Sequence, residues 1–115
     1  MTAKEVTIMV KDVIGGDSAL STDAGIVLFD TMVKAFKNNA KVSLSFKNIK
    51  LMTSAFLNAA IGQLYSKYTS EYLNQKLIIK DIQTSDLDTL KLVIERAKDY
   101  FKDEEKVSKI IDEEI

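Results

Sequence analysis

Three stretches of the chain have the apolar pattern of β-strands. In the first two, apolar residues occupy every second position, the period of a strand with one buried face. The third is a continuous apolar run, Leu77 to Ile79, typical of a strand covered on both faces. Glycines at Gly15-Gly16 predict a turn after the first strand. The predicted strands are residues 5–10, with Val13 and Ile14 as an extension, residues 41–46 and residues 76–82.

Apolar residues spaced by three and four predict a helix after each strand. The first helix, residues 23–38, follows the capping oxygens of Ser21 and Thr22. The second, residues 55–67, is apolar over a wide arc, so we expect it to be well buried. The third begins at Thr84-Ser85-Asp86. The core positions predicted for the first and third helices are Ile26, Phe29, Val33, Phe36, Leu87, Leu90, Ile94, Ala97 and Phe101.

This alternation predicts an α/β fold with a small, largely parallel or mixed β-sheet and packed helices. A length of 115 residues fits one domain. We assign residues 1–102 to the α/β domain and residues 103–115 to an acidic amphipathic tail, either a short fourth helix or an extension of the third. The tail either folds back on the domain or docks on a partner or a second copy. Its apolar residues are Val107, Ile110, Ile111 and Ile115.

The composition removes several classes of catalytic site. The chain has no His and no Cys, which excludes Ser-His and Cys-His pairs, disulfides, zinc-thiolate sites and imidazole ligands. A carboxylate site for magnesium stays open, because Asp81, Asp86 and Asp88 follow the third strand. These aspartates can instead stabilise the start of the third helix through its dipole. We expect no cofactor, no bound metal and no enzymatic activity.

The net charge of −1 hides a division along the chain. Residues 31–70 contain six lysines and no acidic residue, whereas residues 98–115 contain four lysines against seven acidic residues, or −3. Arg96 is the only arginine, so guanidinium forks for nucleic acid are scarce, and we expect no nucleic-acid partner. No stretch is apolar for the roughly 20 residues of a membrane span. We therefore expect no membrane association and a cytoplasmic location.

The segment from Val42 to Leu64 runs from a strand, through a short loop and two hydroxylated residues, into a buried helix. Its most informative part is Thr53-Ser54-Ala55-Phe56-Leu57-Asn58, followed by Gly62. Upstream, Ser21-Thr22-Asp23-Ala24-Gly25 has the form Ser-x-x-x-Gly at a helix start. Over residues 6–100 the chain resembles the STAS superfamily of sulfate transporters and anti-sigma-factor antagonists. It more closely resembles a STAS-like family of unknown function.

The chain departs from the antagonist-type STAS pattern. Those domains carry an Asp at a strand end and an Asp-Ser-Ser-Gly motif at the helix start, whose second Ser accepts phosphate from a partner kinase. Aligned on this chain, the strand-end Asp becomes Ser45, and the motif becomes Thr53, Ser54, Ala55 and Phe56. Ala55 thus occupies the phosphoacceptor position. Phosphorylation here would need Ser54 or Thr53 to substitute, with the helix start rotated by a residue or two.

The resemblance implies a non-catalytic regulatory module that docks a partner at the loop and N-terminus of the second helix. In related domains that partner is often an ATP-binding regulatory kinase, a histidine-kinase-like ATPase. The alternative is a small-ligand, nucleotide or anion-binding domain that uses the same helix N-terminus. Either hydroxyl there can also serve only as an N-cap. A homo-oligomer stays open. The expected partner- or anion-binding residues are Lys47, Lys50, Thr53, Ser54 and Asn58, with Ser54 and Thr53 as candidate phosphorylation sites.

Overall fold

The fold is an α/β arrangement around a three-stranded parallel sheet, as the sequence predicts. A computed structural model describes the chain from residue 4 to residue 114, and its side chains from residue 4 to residue 101. The strands are β1 (Glu5–Met9), β2 (Ser18–Ala19), β3 (Lys41–Ser45), β4 (Leu51–Met52) and β5 (Leu77–Lys80). The main sheet has the order β1-β3-β5, and β2 pairs with β4 in a separate two-stranded sheet. All of these pairings are parallel.

Helices connect and cover the strands. They are α1 (Val10–Ile14), α2 (Thr22–Lys37), α3 (Ser54–Ala60), α4 (Ser70–Lys76) and α5 (Thr84–Glu114), with a 3₁₀ helix at Gly62–Ser66 between α3 and α4. The mostly parallel sheet and the C-terminal helix confirm the predicted class, and the arrangement is consistent with a STAS-like fold.

The central strand β3 lies in the core, and the neighbouring strand β5 does not. β3 is paired on both edges, and its side chains are covered on both faces: Val42 and Leu44 are fully buried, and Ser43 and Ser45 are also buried. The residues of β5 are only half-buried or exposed, so the prediction that both of its faces are covered was wrong. A continuous apolar run can thus mark an edge strand as well as a central one.

The buried face of α2 is rotated from the predicted one. Leu28 and Met32 are fully buried, whereas Ile26, predicted for the core, is 46% exposed. The contact between α2 and α3 explains this difference. A Cβ atom on Gly25 would lie 2.6 Å from the carbonyl oxygen of Phe56, so the two backbones approach closely along the side of α2 that contains Gly25.

The predicted second helix, residues 55–67, is broken into two pieces. α3 ends at Ala60, and the chain continues as the 3₁₀ helix from Gly62. Glycine is about 1 kcal/mol less favourable than alanine inside an α-helix, which is consistent with a break at this position. A Cβ at Gly62 would lie 2.6 Å from the side-chain oxygen of Asn58 on α3 and 3.4 Å from Val93 on α5, so the close approach at this position is to those two helices.

Short elements account for the other differences from the predicted structure. Val10 begins the helix α1 instead of ending a strand, and the strand extension to Val13 and Ile14 was wrong. Gly15 ends α1 in the left-handed conformation, with φ +73°. β2 and β4 have only two residues each, which is too short for a periodic signal. No helix was predicted at α4, and the hydroxyl of Thr69 caps it by accepting a hydrogen bond from the Tyr72 amide (3.1 Å).

The C-terminal helix extends the third predicted helix. Leu90, Val93 and Ala97 are buried, and α5 continues as one helix to Glu114, so the tail is an extension and not a separate fourth helix. The tail side chains Val107, Ile110 and Ile111 lie outside the described residues, so their predicted docking stays a prediction. Among the described residues, no helix combines the length and apolar character needed to cross a bilayer.

Candidate functional site

Thr53 is the N-cap of α3, and its hydroxyl is fully engaged there. Thr53 Oγ1 accepts a hydrogen bond from the amide of Phe56 (3.2 Å) and donates one to the carbonyl of Leu20 (2.7 Å). The Thr53 amide also donates to the carbonyl of Ala19 (3.1 Å). The first bond caps α3, and the two bonds to Leu20 and Ala19 tie the start of α3 to the segment that leads into α2. Thr53 therefore has the N-cap role that the sequence allowed, together with a link between two elements.

Ser54 lies at the first position of α3 and is exposed, unlike the half-buried Thr53. Ala55, which occupies the phosphoacceptor position of the antagonist-type motif, is also exposed. Of the two candidate phosphorylation sites, Ser54 is thus the more accessible one, because the Thr53 hydroxyl is held by two hydrogen bonds.

Two lysines border a cleft at the carboxyl ends of β3 and β5. Lys47 and Lys50 are exposed, and the cleft of about 480 Å³ that they line also includes Asp81 and Gln83. Lys50 Nζ lies 3.7 Å from the carboxylate of Asp17, an exposed ion pair that contributes at most about 1 kcal/mol. The Lys50 amide donates to the carbonyl of Asp17 (2.8 Å), which fixes the loop backbone beside β2.

The sequence analysis missed a contact between Ser45 and Asp81. The buried hydroxyl of Ser45 donates to Asp81 Oδ2 at 2.6 Å, and the amide of Lys47 donates to the same hydroxyl at 3.3 Å. Asp81 has φ +61°, a conformation that aspartate tolerates better than most residues. The available signal was topological, since neighbouring parallel strands bring their carboxyl ends together.

The aspartates that follow β5 do not form a metal site with one another. Among the described residues, no three acidic side chains lie close enough to share a metal ion. Asp81 instead accepts the hydroxyl of Ser45. Asp81, Asp86 and Asp88, which the sequence left open as magnesium ligands, are therefore not brought together as a group, because sequence proximity at a helix start does not make side chains converge.

Two exposed leucines lie beside the start of α3, and the sequence analysis did not select them. In β2 and the residue after it, Ser18 and Leu20 flank the fully buried Ala19, so alternation places them on the opposite, outer face. The register pairs Ser18 with Leu51 of β4, which brings Leu51 to that same outer face. Leu20 is 46% exposed and Leu51 is 58% exposed.

Asn58 is exposed on α3, four residues after Ser54, so the two side chains lie on neighbouring turns of one helix face. It borders clefts against α2 and α5, whereas Lys47 and Lys50 line the cleft beyond β3. The five predicted site residues therefore form three groups. Lys47 and Lys50 lie in the loop, Thr53 caps α3, and Ser54 and Asn58 lie on an exposed face of that helix.

Three of the tyrosines, Tyr65, Tyr68 and Tyr72, pack mainly against other side chains of the protein. Tyr68 and Tyr72 stack with ring centroids 4.9 Å apart, and Phe36 makes an edge contact with each. Burial raises the pKa of the Tyr65 phenol above its usual 10.0. Burial, followed by the neighbouring Tyr72, raises the pKa of Tyr68. The stacked and edge contacts therefore place these rings partly inside the protein, as is common for aromatic side chains that carry a hydroxyl.

Comparison with known families identifies the fold family. Residues 24–87 match the model of the STAS-like domain of unknown function (DUF4325). The chain belongs to this STAS-like family. The matched region of the STAS-like domain begins in α2, contains β3, α3 and β5, and ends at the start of α5. No curated protein and no solved structure matches the chain.

Proposed function

We propose that this STAS-like domain is a non-catalytic regulatory module that docks a partner protein beside the N-terminus of α3. The contact surface consists of Leu20, Lys50, Leu51 and Ser54, which we call the docking face. Lys47 borders it from the loop, Thr53 supports it from beneath, and Asn58 lies one turn further along α3.

The observation that carries the proposal is the exposure of Leu20 and Leu51 on one outer face of the two-stranded sheet. Burial of apolar surface contributes about 25 cal/mol per Å², so two leucines at the centre of a contact can supply much of a moderate affinity. Exposed Lys50 and Ser54 next to them provide the polar rim that protein interfaces usually have.

The position of the docking face also supports the proposal. Two hydrogen bonds from Thr53 connect it to the segment before α2, and a third caps α3, so its backbone is held before any partner arrives. A surface that is already ordered loses little conformational entropy on binding. In related STAS domains the partner is often a histidine-kinase-like ATPase, and we propose a partner of that class here.

The proposal is tested with the double variant Leu20→Ser/Leu51→Ser and a matched control, Leu92→Ser. Leu92 is 45% exposed on α5, so the control removes a comparably exposed leucine away from the docking face. Proteins of the source cell are captured on the wild type and on both variants, and each captured protein is then purified and titrated against all three.

We expect one purified protein to bind the wild type and the Leu92 variant equally, and the double variant at least about tenfold more weakly. Equal binding of that protein to all three chains would refute the docking face. Failure of the wild type to retain any protein would refute the interaction role.

A second candidate function rests on the cleft lined by Lys47, Lys50, Asp81 and Gln83. It lies at the carboxyl ends of parallel strands, where α/β proteins commonly bind ligands. Lysines attract anionic groups, and a carboxylate accepts hydroxyl donors, so a small phosphorylated ligand fits this chemistry. A thermal shift with nucleotides or inorganic phosphate, lost in Lys47→Ala/Lys50→Ala, would favour this function over partner docking.

A further inference from the structure

Two clefts on the protein surface share residues of one ridge. Asn58 and Gln63 line both clefts, with α2 as the wall of the first and α5 as the wall of the second. The two clefts therefore form one surface with the ridge in the middle. We call this surface the three-helix face, and its principal residues are Ile26, Phe29, Asp30, Asn58, Gln63, Arg96 and Tyr100.

Both walls of the three-helix face present apolar side chains to solvent. On the α2 wall, Ile26 is 46% exposed and Phe29 is half-buried. On the α5 wall, Tyr100 is 68% exposed, and its ring makes an edge contact with the half-buried Phe101 (centroids 4.9 Å apart). Large exposed aromatic and branched side chains on one surface are characteristic of protein contacts.

The charges of the two walls are opposite. Asp30 is exposed on the α2 wall, and Arg96, the only arginine of the chain, is exposed on the α5 wall. A guanidinium binds a carboxylate through two parallel hydrogen bonds, which makes this pair more directional than a lysine pair. The shared ridge carries the amides Asn58 and Gln63, and an amide can both donate to and accept from an identical amide.

We infer that the three-helix face binds a second copy of this chain around a two-fold axis at the ridge. In a two-fold interface every contact occurs twice: if residue i of the first copy contacts residue j of the second, then residue j of the first copy contacts residue i of the second. The α2 wall of each copy then covers the α5 wall of the other. Asp30 of each copy then pairs with Arg96 of the other, which gives two ion pairs per dimer. Ile26 of each copy packs toward Tyr100 of the other, and the ridge amides of the two copies meet near the axis.

A second copy fits this surface better than an unrelated protein does, because the surface already contains both halves of each contact. The α2 wall carries the carboxylate of Asp30, and the α5 wall carries the guanidinium of Arg96. The amides of the ridge can hydrogen-bond to the same amides of a second copy. The inference does not depend on the proposed docking function. Leu20 and Leu51 line neither of the two clefts, so the docking face stays available in the dimer.

The test is a charge exchange measured by sedimentation velocity on the full chain. The variants are Asp30→Arg, Arg96→Asp, and the double variant with both changes. Each single variant places like charges opposite each other at two points of a dimer, and we expect at least about tenfold weaker self-association. The double variant restores opposite charges, so its self-association should return toward that of the wild type.

An equimolar mixture of the two single variants gives the sharpest readout. Every pair in a mixed dimer is attractive, so the mixture should form a heterodimer of about twice 12.9 kDa at concentrations where each variant alone is monomeric. Asp12→Arg is the matched control, since Asp12 is exposed on α1 and lines neither cleft. It should leave self-association unchanged.

A wild type that stays monomeric over the whole accessible concentration range would overturn the inference. It would also be overturned by single variants that dimerise as well as the wild type, because the dimer would then use another surface. Circular dichroism of each variant confirms the fold, and both substituted positions are exposed, so the exchange does not disturb the core.

Discussion

The close approach of α2 and α3 at Gly25 makes a quantitative prediction for Gly25→Ala. The added Cβ would lie 2.6 Å from the Phe56 carbonyl oxygen and 2.7 Å from the Ala59 Cβ, whereas ordinary van der Waals contacts begin near 3.4 Å. The nearest obstacle is backbone, so it cannot rotate away, and the helices must separate. Overpacking of this kind costs about 1–3 kcal/mol, and we take the upper end.

The same substitution improves helix propensity. Alanine is favoured over glycine inside a helix by about 1 kcal/mol, which offsets part of the clash. The net expectation is a loss of about 2 kcal/mol in the free energy of unfolding. For a domain of this size, that loss lowers the melting temperature by roughly 8 °C.

Gly62→Ala is the matched control, because its added Cβ meets a different kind of obstacle. It would lie 2.6 Å from the side-chain oxygen of Asn58, an exposed side chain that can rotate, and 3.4 Å from Val93. We expect a change within about 0.5 kcal/mol of the wild type, since surface adjustments are usually of that size.

The assay is urea unfolding followed by far-ultraviolet circular dichroism on the wild type and both glycine variants. A further double-mutant cycle with Ala59→Gly removes one of the two atoms nearest to the new Cβ, so Gly25→Ala should cost less in that background. The reasoning is refuted if Gly25→Ala is as stable as the wild type, or if both alanine variants lose the same stability.

Three further predictions follow from single contacts. Ser43→Ala should raise the free energy of unfolding by about 1 kcal/mol, because the buried hydroxyl has no hydrogen-bond partner among the described atoms; a loss in urea unfolding would contradict this. Thr53→Ala should lower it by about 1–2 kcal/mol through loss of the cap, whereas Thr53→Ser should keep most of it in the same assay. Burial raises the Tyr65 and Tyr68 pKa above 10.0, so the folded state holds these protons more tightly than the unfolded one. Their contribution to the free energy of unfolding is present below pH 10 and is lost as the pH rises through the folded-state pKa. Tyr65→Phe should reduce that loss when thermal unfolding is measured at alkaline pH.

The parts of the fold that were predictable are those with strong local periodicity. The strands β1 and β3 could be located from their apolar alternation, and the start of α5 at Thr84 from its capping residues. The parallel sheet followed from the alternation of strands and helices. The burial of each strand was harder to predict from the sequence, because Leu77 to Ile79 have the composition of a central strand and yet form an edge strand.

The candidate site was predictable only in part, because its features depend on long-range pairing. The N-cap at Thr53 had a local signal, but its bond to Leu20 joins residues 33 positions apart. The shared outer face of Leu20 and Leu51 depends on β2 and β4, which have two residues each and no period to detect. The contact of Ser45 with Asp81 likewise arises from the pairing of β3 with β5.

The central claim, that a partner protein binds at the outer face formed by Leu20 and Leu51, is tested most directly by site-specific photo-crosslinking. A benzophenone amino acid replaces Leu51 in one variant and the comparably exposed Leu92 in another, and each is irradiated with the purified partner. We predict a crosslinked complex from position 51 and none from position 92. Crosslinking from position 92 alone, or equally from both, would contradict the account.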